Sequence, residues 1–477
     1  MNIDYSLLTI EMLTAGLALG LLVLSLVVPG DQRKGFGYLT AAGLAIIFAI
    51  SFAFNGVNKE IIGGMYLIDD FGNFFKQLAL VAGVLVALAS IPYVEKLESY
   101  RGEYYSLLVF ATLGMVVMVG AGDLISLYLG LELMTITFFV LTAFKRGDSK
   151  SAEAGIKYVL LGAMSSAILL YGLSMLYGVA KTTVISELVS TIQAGQISPA
   201  LILGLMFLVG GFGFKISAVP FHMWSPDVYE GAPTPVTSYL AVGSKAAAFA
   251  AFVRIFMGGM PQIQEIWIAL FAGLSALSMI IGNLIAIPQT NIKRMLAFSG
   301  VAQAGYILTG MVAGTNAGIK GLAFYLMIYV FATIGAFTVA IGFSNATGSD
   351  EIKDMAGLSQ RNPLMAAVML VCLLSMAGIP PLAGFAGKLF LFSAIVAQGK
   401  LWLALVGLIM SMVSVYYYLS VAKSMYMGEA ADPSPIEIPG SLKLVLIVSM
   451  VVTIFLGIYP APLTGLAEAA ASVFALK

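Results

Sequence analysis

Cysteine, histidine and charge are the scarce components of this sequence. A single cysteine, Cys372, in 477 residues excludes an internal disulfide and a thiolate-ligated iron–sulfur cluster held by this chain alone. A single histidine, His222, excludes a bis-histidine haem. No G-x-G-x-x-G follows a strand-like run. The stretch from Gly384 to Lys388 has the wrong glycine spacing for a phosphate loop and carries Leu389 where Ser or Thr is required. Charged residues make up only 10%, 24 basic against 24 acidic, where soluble proteins carry about 25%. The expectation is a chain without cofactor or metal of its own and without a nucleic-acid surface.

What is abundant is apolar. Hydrophobic residues make up 60% and the mean hydropathy is +0.98, which predicts an all-α polytopic membrane protein in contact with the lipid bilayer; a transmembrane barrel would show short alternating segments instead. The first apolar run, to about Val28, is too long for a signal-peptide core and has no basic residue before it, so it is expected to be retained as the first span. Hydropathy and turn punctuation predict fourteen spans, near 7–29, 36–54, 72–94, 104–121, 123–144, 153–180, 199–224, 235–258, 264–287, 292–313, 317–344, 364–397, 401–427 and 441–460. Loops after odd-numbered spans carry most of the basic residues, among them Arg33, Lys34, Lys145, Arg146, Lys150, Lys293 and Arg294. The even loops and termini carry Lys59, Lys76, Lys181, Arg254, Lys320, Lys400 and Lys477. The positive-inside rule then puts both termini on the outer, periplasmic side of a bacterial cell membrane.

Two spans are predicted to be broken. Pro220 interrupts the seventh, because proline lacks the amide hydrogen that continues the helical ladder. The twelfth is too long to be one straight crossing and breaks at Gly378-Ile379-Pro380-Pro381. The breaks lie about 160 residues, or five spans, apart. Paired broken helices at an odd offset predict an inverted repeat. The single membrane domain, 1–477, accordingly divides into N-terminal helices (1–100), a first repeat (104–258), an inverted second repeat (264–427) and a last helix with the C-terminus (441–477).

Against this apolar background, Lys157, Lys215, Lys245 and Lys388 lie inside predicted spans, and so does Glu132. A charge at the bilayer centre costs roughly 2.5–3.5 kcal/mol even on the lenient insertion scale, so such residues face protein or water and ask for a function. Desolvation disfavours a charged lysine and a nearby carboxylate restores it, so a lysine with a movable acidic partner is a proton switch. At ~4 Å and an effective dielectric near 20 such a pair interacts by about 4 kcal/mol. Glu132 is the only carboxylate expected deep in a span and the natural partner of Lys215; a structural ion pair is the alternative. Lys157, a turn into its span, can snorkel to the interface. His222, beside the Pro220 break, suits a proton shuttle or the satisfaction of a loose carbonyl. Lys388 is placed at the outward end of the pathway, close to carbonyls freed by the second break. Tyr325, Tyr329 and Thr333 form a stripe for which core packing is preferred over a water wire.

The stretch from Lys215 through Pro220, His222, Trp224, Pro226, Asp227, Glu230 and Pro233 to Thr237 closely resembles the hallmark of the antiporter-like subunits of respiratory complex I, in the wording of the subunit N (ND2-type) branch. Lys388, after Gly-Ile-Pro-Pro-Leu-Ala-Gly-Phe-Ala-Gly, stands where the subunit M branch has glutamate, and the lateral helix of the subunit L branch is expected to be absent. The resemblance covers essentially the whole chain. It implies fourteen helices in two inverted five-helix repeats, with Glu132 and Lys215 as coupling pair, Lys245 as central relay and Lys388 as terminal lysine. Lys157 and His222 match a further lysine and the histidine at the break. It also implies a translocase subunit of an NADH-quinone oxidoreductase, in which NADH, FMN, iron–sulfur clusters and quinone are handled by other subunits. Partners would be adjacent antiporter-like and small membrane subunits.

Other classes share the buried lysines. A subunit of a cation/proton antiporter would need oxygen ligands for sodium, and Glu132 is the one deep carboxylate. A ferredoxin- or hydrogenase-linked proton pump would use similar membrane subunits. A non-transporting scaffold predicts that the lysines are replaceable by leucine or methionine.

Overall fold

Several apolar runs begin at a polar residue that caps a helix, and this punctuation helps organise the fold. The computed structural model describes residues 4–29, 35–97, 100–192 and 197–474; Arg33, Lys34 and Lys477 lie outside them. Helices α1 (Thr9–Val27) and α2 (Phe36–Ser51) lead to a hairpin of β1 (Lys59–Ile61) and β2 (Tyr66–Ile68). Then come α3 (Asp70–Val94), α4 (Arg101–Gly120), α5 (Leu124–Thr142), α6 (Ser149–Ala180) and a short α7 (Ile185–Thr191). Next are α8 (Pro199–Lys215), α9 (Ser225–Gly231), α10 (Thr234–Tyr239) and, after a π-helical turn Leu240–Ser244, α11 (Lys245–Gly259). The second half contains α12 (Gln264–Ala286), α13 (Ile292–Ala313), α14 (Asn316–Thr347), α15 (Leu358–Arg361), α16 (Pro363–Ala377), α17 (Ala383–Ala397), α18 (Leu401–Met427), α19 (Gly440–Ile458) and α20 (Ala461–Ser472). Asp69, Asp123, Asp148, Asn291, Thr315 and Asn362 cap the starts of α3, α5, α6, α13, α14 and α16 by accepting backbone N–H groups, which satisfies donors that a membrane would leave orphaned.

Among the described residues, twelve helical segments are long and apolar enough to cross a membrane, and α8, α16 and α17 are shorter apolar helices; the chain is a multi-pass membrane protein. Burial sorts the helices into two shells. α3, α10–α11, α13 and α14 are enclosed by other helices, whereas α1, α2, α6, α12, α18 and α19 bury only a minority of their residues. The outer shell presents Leu26, Met164 and Met412 outward. Both shells are apolar, so polar side chains rather than hydrophobicity mark the interior. Close packing is allowed by small residues: a Cβ on Gly114 of α4 would lie 2.4 Å from the Met134 amide of α5, and one on Gly130 of α5 would lie 2.5 Å from the Met118 amide of α4.

Both expected breaks are present, with one shift. The twelfth predicted span is two helices, α16 and α17, separated at Gly378–Leu382. The seventh, expected to run over 199–224 with its break at Pro220, instead ends its helix at Lys215, and Ile216–Trp224 is non-helical. The ladder stops before the proline because the Pro220 ring conflicts with the carbonyl four residues earlier and Ser217 adopts φ +57°. The second break is tightly filled: a Cβ on Gly384 would sit 1.8 Å from the Ser375 carbonyl oxygen, and the Gly384 N–H donates to Ser375 Oγ at 3.0 Å. Gly384→Ala is therefore expected to destabilise the chain by about 1–3 kcal/mol through overpacking, read as a lower midpoint in thermal aggregation of the detergent-solubilised protein; an unchanged midpoint would contradict this packing.

Three basic residues counted above as loop charges are interior. Lys76 of α3 is 2% exposed and paired with Glu11 of α1 at 2.6 Å; Arg254 of α11 is 3% exposed and paired with Asp69. Lys293 is buried against Asp350 at 2.7 Å. Their partners lie far away in sequence, which a hydropathy window cannot see. Nor is Glu132 the one deep carboxylate, since Glu11 and Asp69 are both more buried.

Candidate proton-transfer site

Lys215 is the last residue of α8, 3% exposed, and its Nζ donates to Thr135 Oγ1 of α5 at 2.6 Å. The Thr135 hydroxyl spends its own proton on the Leu131 carbonyl at 2.7 Å, so its lone pairs are turned to the lysine. Phe214, Trp224 and Tyr158 stack beside this point, and Trp224 Nε1 holds the Phe214 carbonyl at 2.9 Å. That bond fixes the end of α8. Glu132 stands three residues before Thr135 on the same face of α5. It is half-buried, Tyr128 is its neighbour one turn back, and its Oε1 has no hydrogen-bond partner. It forms no salt bridge with Lys215, although its charge acts on that lysine. The expected coupling pair is therefore adjacent but not joined.

Lys245 opens α11 directly after the π-helical turn and is 1% exposed. Its Nζ donates to the Gly300 carbonyl of α13 at 2.9 Å. Space there is tight, since a Cβ would lie 3.0 Å from Nζ and 3.2 Å from Tyr329 Oη. Lys388 of α17 is 4% exposed and caps the broken end of α16, donating to the Met376 and Ala377 carbonyls at 2.9 and 3.0 Å and to Ser411 Oγ at 2.7 Å. It also lies 4.2 Å over the Tyr306 ring. The carbonyl end of a helix attracts a cation, as does the face of an aromatic ring, so neutral surroundings hold this lysine without a carboxylate.

One helix links these two lysines. On α13, beside Gly300, Ser299 bonds Tyr418 Oη, and Gln303 Nε2 donates to Tyr418 Oη at 3.3 Å and to the Met376 carbonyl at 3.1 Å. The Met376 oxygen is thus shared by Gln303 and Lys388. Tyr325 Oη donates to Gln303 Oε1 at 2.5 Å, so that part of the tyrosine stripe is polar machinery and not packing alone. Ser299, Gln303 and Tyr306 recur at i, i+4 and i+7, a spacing that places them on one face of a helix and could have marked them in the sequence. Ser411, Asn283 and Tyr418 carried no comparable signal.

The remaining candidates sit apart. His222 lies in the Ile216–Trp224 segment, 5% exposed, with Nδ1 lacking a partner and its ring edge-on to Phe298. Lys157 is on the outside of α6, its side chain 40% exposed, bridging Glu153 at 2.7 Å and Asp227 at 2.6 Å. Asp227 and Glu230 are joined by Arg294 at 2.8 and 3.1 Å, and Glu230 also by Lys150 at 2.9 Å. Against the opposing effect of burial, hydrogen bonds from Lys157 and Arg294 hold the Asp227 carboxyl below the usual carboxylate range. Among the described residues, no hydrogen bond joins Lys157 to the buried lysines.

Residues 121–414 match the family described as NADH:quinone oxidoreductase/Mrp antiporter, transmembrane. NADH-quinone oxidoreductase subunit N of Moorella thermoacetica is 56% identical over 98% of both chains, and that of Desulforamulus reducens is 56% identical over 100% of both. The chain belongs to this antiporter family, in its subunit N branch. A chain of respiratory complex I from Thermus thermophilus with bound aureothin has 30% identity and a TM-score of 0.81, over 96% of this chain and 99% of that one. A chain of the Mrp complex from Dietzia sp. DQ12-45-1b has 20% identity and a TM-score of 0.89, over 99% and 97%; that likeness concerns the antiporter-family fold alone. The matched residues include the α8 break and α9, and with them Lys215, Asp227 and Glu230.

Proposed function

We propose that this chain is the proton-translocating subunit N of a complex I-type NADH-quinone oxidoreductase, a translocase component of the bacterial cell membrane that assembles with other membrane subunits. The observation that carries the reading is that two buried lysines are both held against α13: Lys245 bonds the Gly300 carbonyl, and Lys388 shares the Met376 carbonyl with Gln303, which bonds Tyr418 and through it Ser299 beside Gly300. NADH, FMN, iron–sulfur clusters and quinone belong to other subunits. Counting each broken segment as one crossing, fourteen crossings form two inverted repeats, 104–258 and 264–427, between the N-terminal helices (1–100) and the last helix (441–477). With basic loops inside, protons enter from the cytoplasm, pass Lys215 and Lys245 and leave by Lys388, with both termini outside. Glu132, by approaching or leaving Lys215, sets whether that lysine keeps its proton; His222 and Lys157 serve the uptake side. Polar atoms buried without a protein partner, Glu132 Oε1, Ser217 Oγ, His222 Nδ1, Tyr229 Oη and Ser238 Oγ, lie on α5, α9, α10 and the α8 break, and such groups are ordinarily served by ordered water. These lysines alone would only equilibrate protons, so electron transfer in the partner subunits must bias them.

The test is Lys245→Met in the assembled complex. The side chain is close in shape but cannot hold a proton. Proton pumping is expected to fall at least tenfold, the lower range for a group that transfers protons being about 10²-fold, with assembly retained. Pumping at the wild-type rate would overturn the reading.

A further inference from the structure

A second polar path leaves the interior toward the surface. A cleft of about 460 Å³ opens where α12 ends and α13 begins, beside the C-terminal half of α18; its lining includes Thr290, Met295, Glu351, Lys353, Ser424 and Tyr417. Tyr417 Oη donates to Asn283 Oδ1 at 3.0 Å, and Asn283 Nδ2 donates to Tyr306 Oη at 3.1 Å. The Tyr306 ring in turn lies 4.2 Å from Lys388 Nζ, which donates to Ser411 Oγ at 2.7 Å, while the Ser411 hydroxyl gives its own proton to the Ala377 carbonyl at 2.7 Å. Asn283 and Tyr306 are fully buried and Tyr417 is 3% exposed. An amide inside an apolar helix is costly unless its hydrogen bonds are used, and here both ends of Asn283 hold tyrosine hydroxyls in one line. Tyr418, next to Tyr417, bonds Ser299 and Gln303, and Gln303 shares the Met376 carbonyl with Lys388, so adjacent tyrosines of α18 belong to two polar groups around the same lysine. The membrane face is also defined: Arg294, beside Met295, bonds Asp227 and Glu230, so the cleft opens on the face that carries that cluster.

We propose that this cleft is a second proton-access route, delivering protons to Lys388 from the Asp227/Arg294 face without passage through Lys215 or Lys245. The inference rests on the reading of Lys388 as a proton carrier. Each tyrosine hydroxyl accepts a proton on a lone pair as it gives up its own. Asn283 does not ionise, so it aligns the hydroxyls and the hop between them passes through water. The last transfer moves a proton from Tyr306 Oη through water to neutral Lys388 Nζ while Tyr306 is re-protonated through water from Tyr417 and Tyr417 from water in the cleft, leaving an ammonium and no other charge on the path. Lys388 is then loaded from the same face as Lys215, and the two lysines need not act in series within one turnover.

The experiment uses the assembled complex in sealed vesicles. Tyr417→Phe keeps the ring and removes only the hydroxyl; pumping per electron is expected to fall about fivefold, the scale of one lost hydrogen bond. Ser424→Cys places a thiol in the cleft, and a charged, membrane-impermeant thiol reagent applied from the Asp227/Arg294 face should label this chain and lower pumping beyond its effect on the unsubstituted complex; the chain's own Cys372 is fully buried and free, so labelling of this chain reports Ser424→Cys. Absence of labelling, or unchanged pumping both after labelling and in Tyr417→Phe, overturns the route. Lys388→Met separates the two claims: lost pumping there with a silent cleft sinks only the route, whereas wild-type pumping in Lys388→Met sinks the reading beneath it. Should Tyr417→Phe fail to assemble, the labelling result decides.

Discussion

Lys215→Ala is expected to abolish both proton pumping and electron transfer in a complex that still assembles. The residue closes α8 at a point already fixed by Trp224, which holds the preceding carbonyl at 2.9 Å, so the backbone does not depend on the lysine. What the lysine adds is a charge with two available partners. In this structure its ammonium rests on the neutral Thr135 hydroxyl, while the Glu132 carboxylate, three residues away on the same helix, keeps a buried oxygen with no partner. A direct pair would be worth about 4 kcal/mol at an effective dielectric near 20, enough to decide whether the lysine holds a proton. An element with two such positions is what an external bias can act upon. Lys215→Arg separates proton transfer from charge alone, because a guanidinium keeps its proton under all working conditions. Arginine is expected to preserve assembly and still fail to pump, measured as acidification by vesicles alongside NADH oxidation. Pumping by the arginine variant at the wild-type rate would reduce Lys215 to a structural charge.

The sequence already contained the lysines, both breaks and the proximity of Lys388 to freed carbonyls, because a charge or a proline within an apolar run is visible in a local window. It did not show what those lysines touch. Gln303 meets Tyr418 across 115 residues and Tyr417 meets Asn283 across 134, and an isolated amide or hydroxyl in a hydrophobic segment reads as tolerated polarity. Glu132 and Lys215 were readable as neighbours but not as separated by Thr135, since side-chain direction at a helix end depends on where the helix stops, and Pro220 suggested a stop five residues too late. Lys76 and Arg254 were misread for the opposite reason. A basic residue near the end of an apolar run looks like a loop charge until the acidic residue that buries it is brought in from another helix.

Arg254→Leu is accordingly expected to have the largest effect on stability. The guanidinium reaches Asp69 with both arms, one of them at 2.8 Å, and donates to the Val119 carbonyl at 3.1 Å, tying α11 to α3 and α4. Asp69 also caps α3 through the Gly72 N–H at 2.7 Å. Removing the arginine leaves a buried carboxylate with a single backbone donor from that cap, a loss of about 3–5 kcal/mol set against total stabilities of about 5–15 kcal/mol. The level of the chain in membranes should drop severely and its thermal aggregation midpoint should fall. Pairing the change with Asp69→Asn should restore much of the loss, because asparagine can still cap the helix and no charge is stranded. The neighbouring Glu11–Lys76 pair, which also accepts a hydrogen bond from Tyr66 Oη at 2.6 Å, ties α1 to α3 in the same way, so Lys76→Met should destabilise independently and be relieved by Glu11→Gln but not by Asp69→Asn. Normal levels of the Arg254→Leu chain, or equal rescue by either acid-to-amide change, would mean that these pairs do not act as separate clamps on the N-terminal helices.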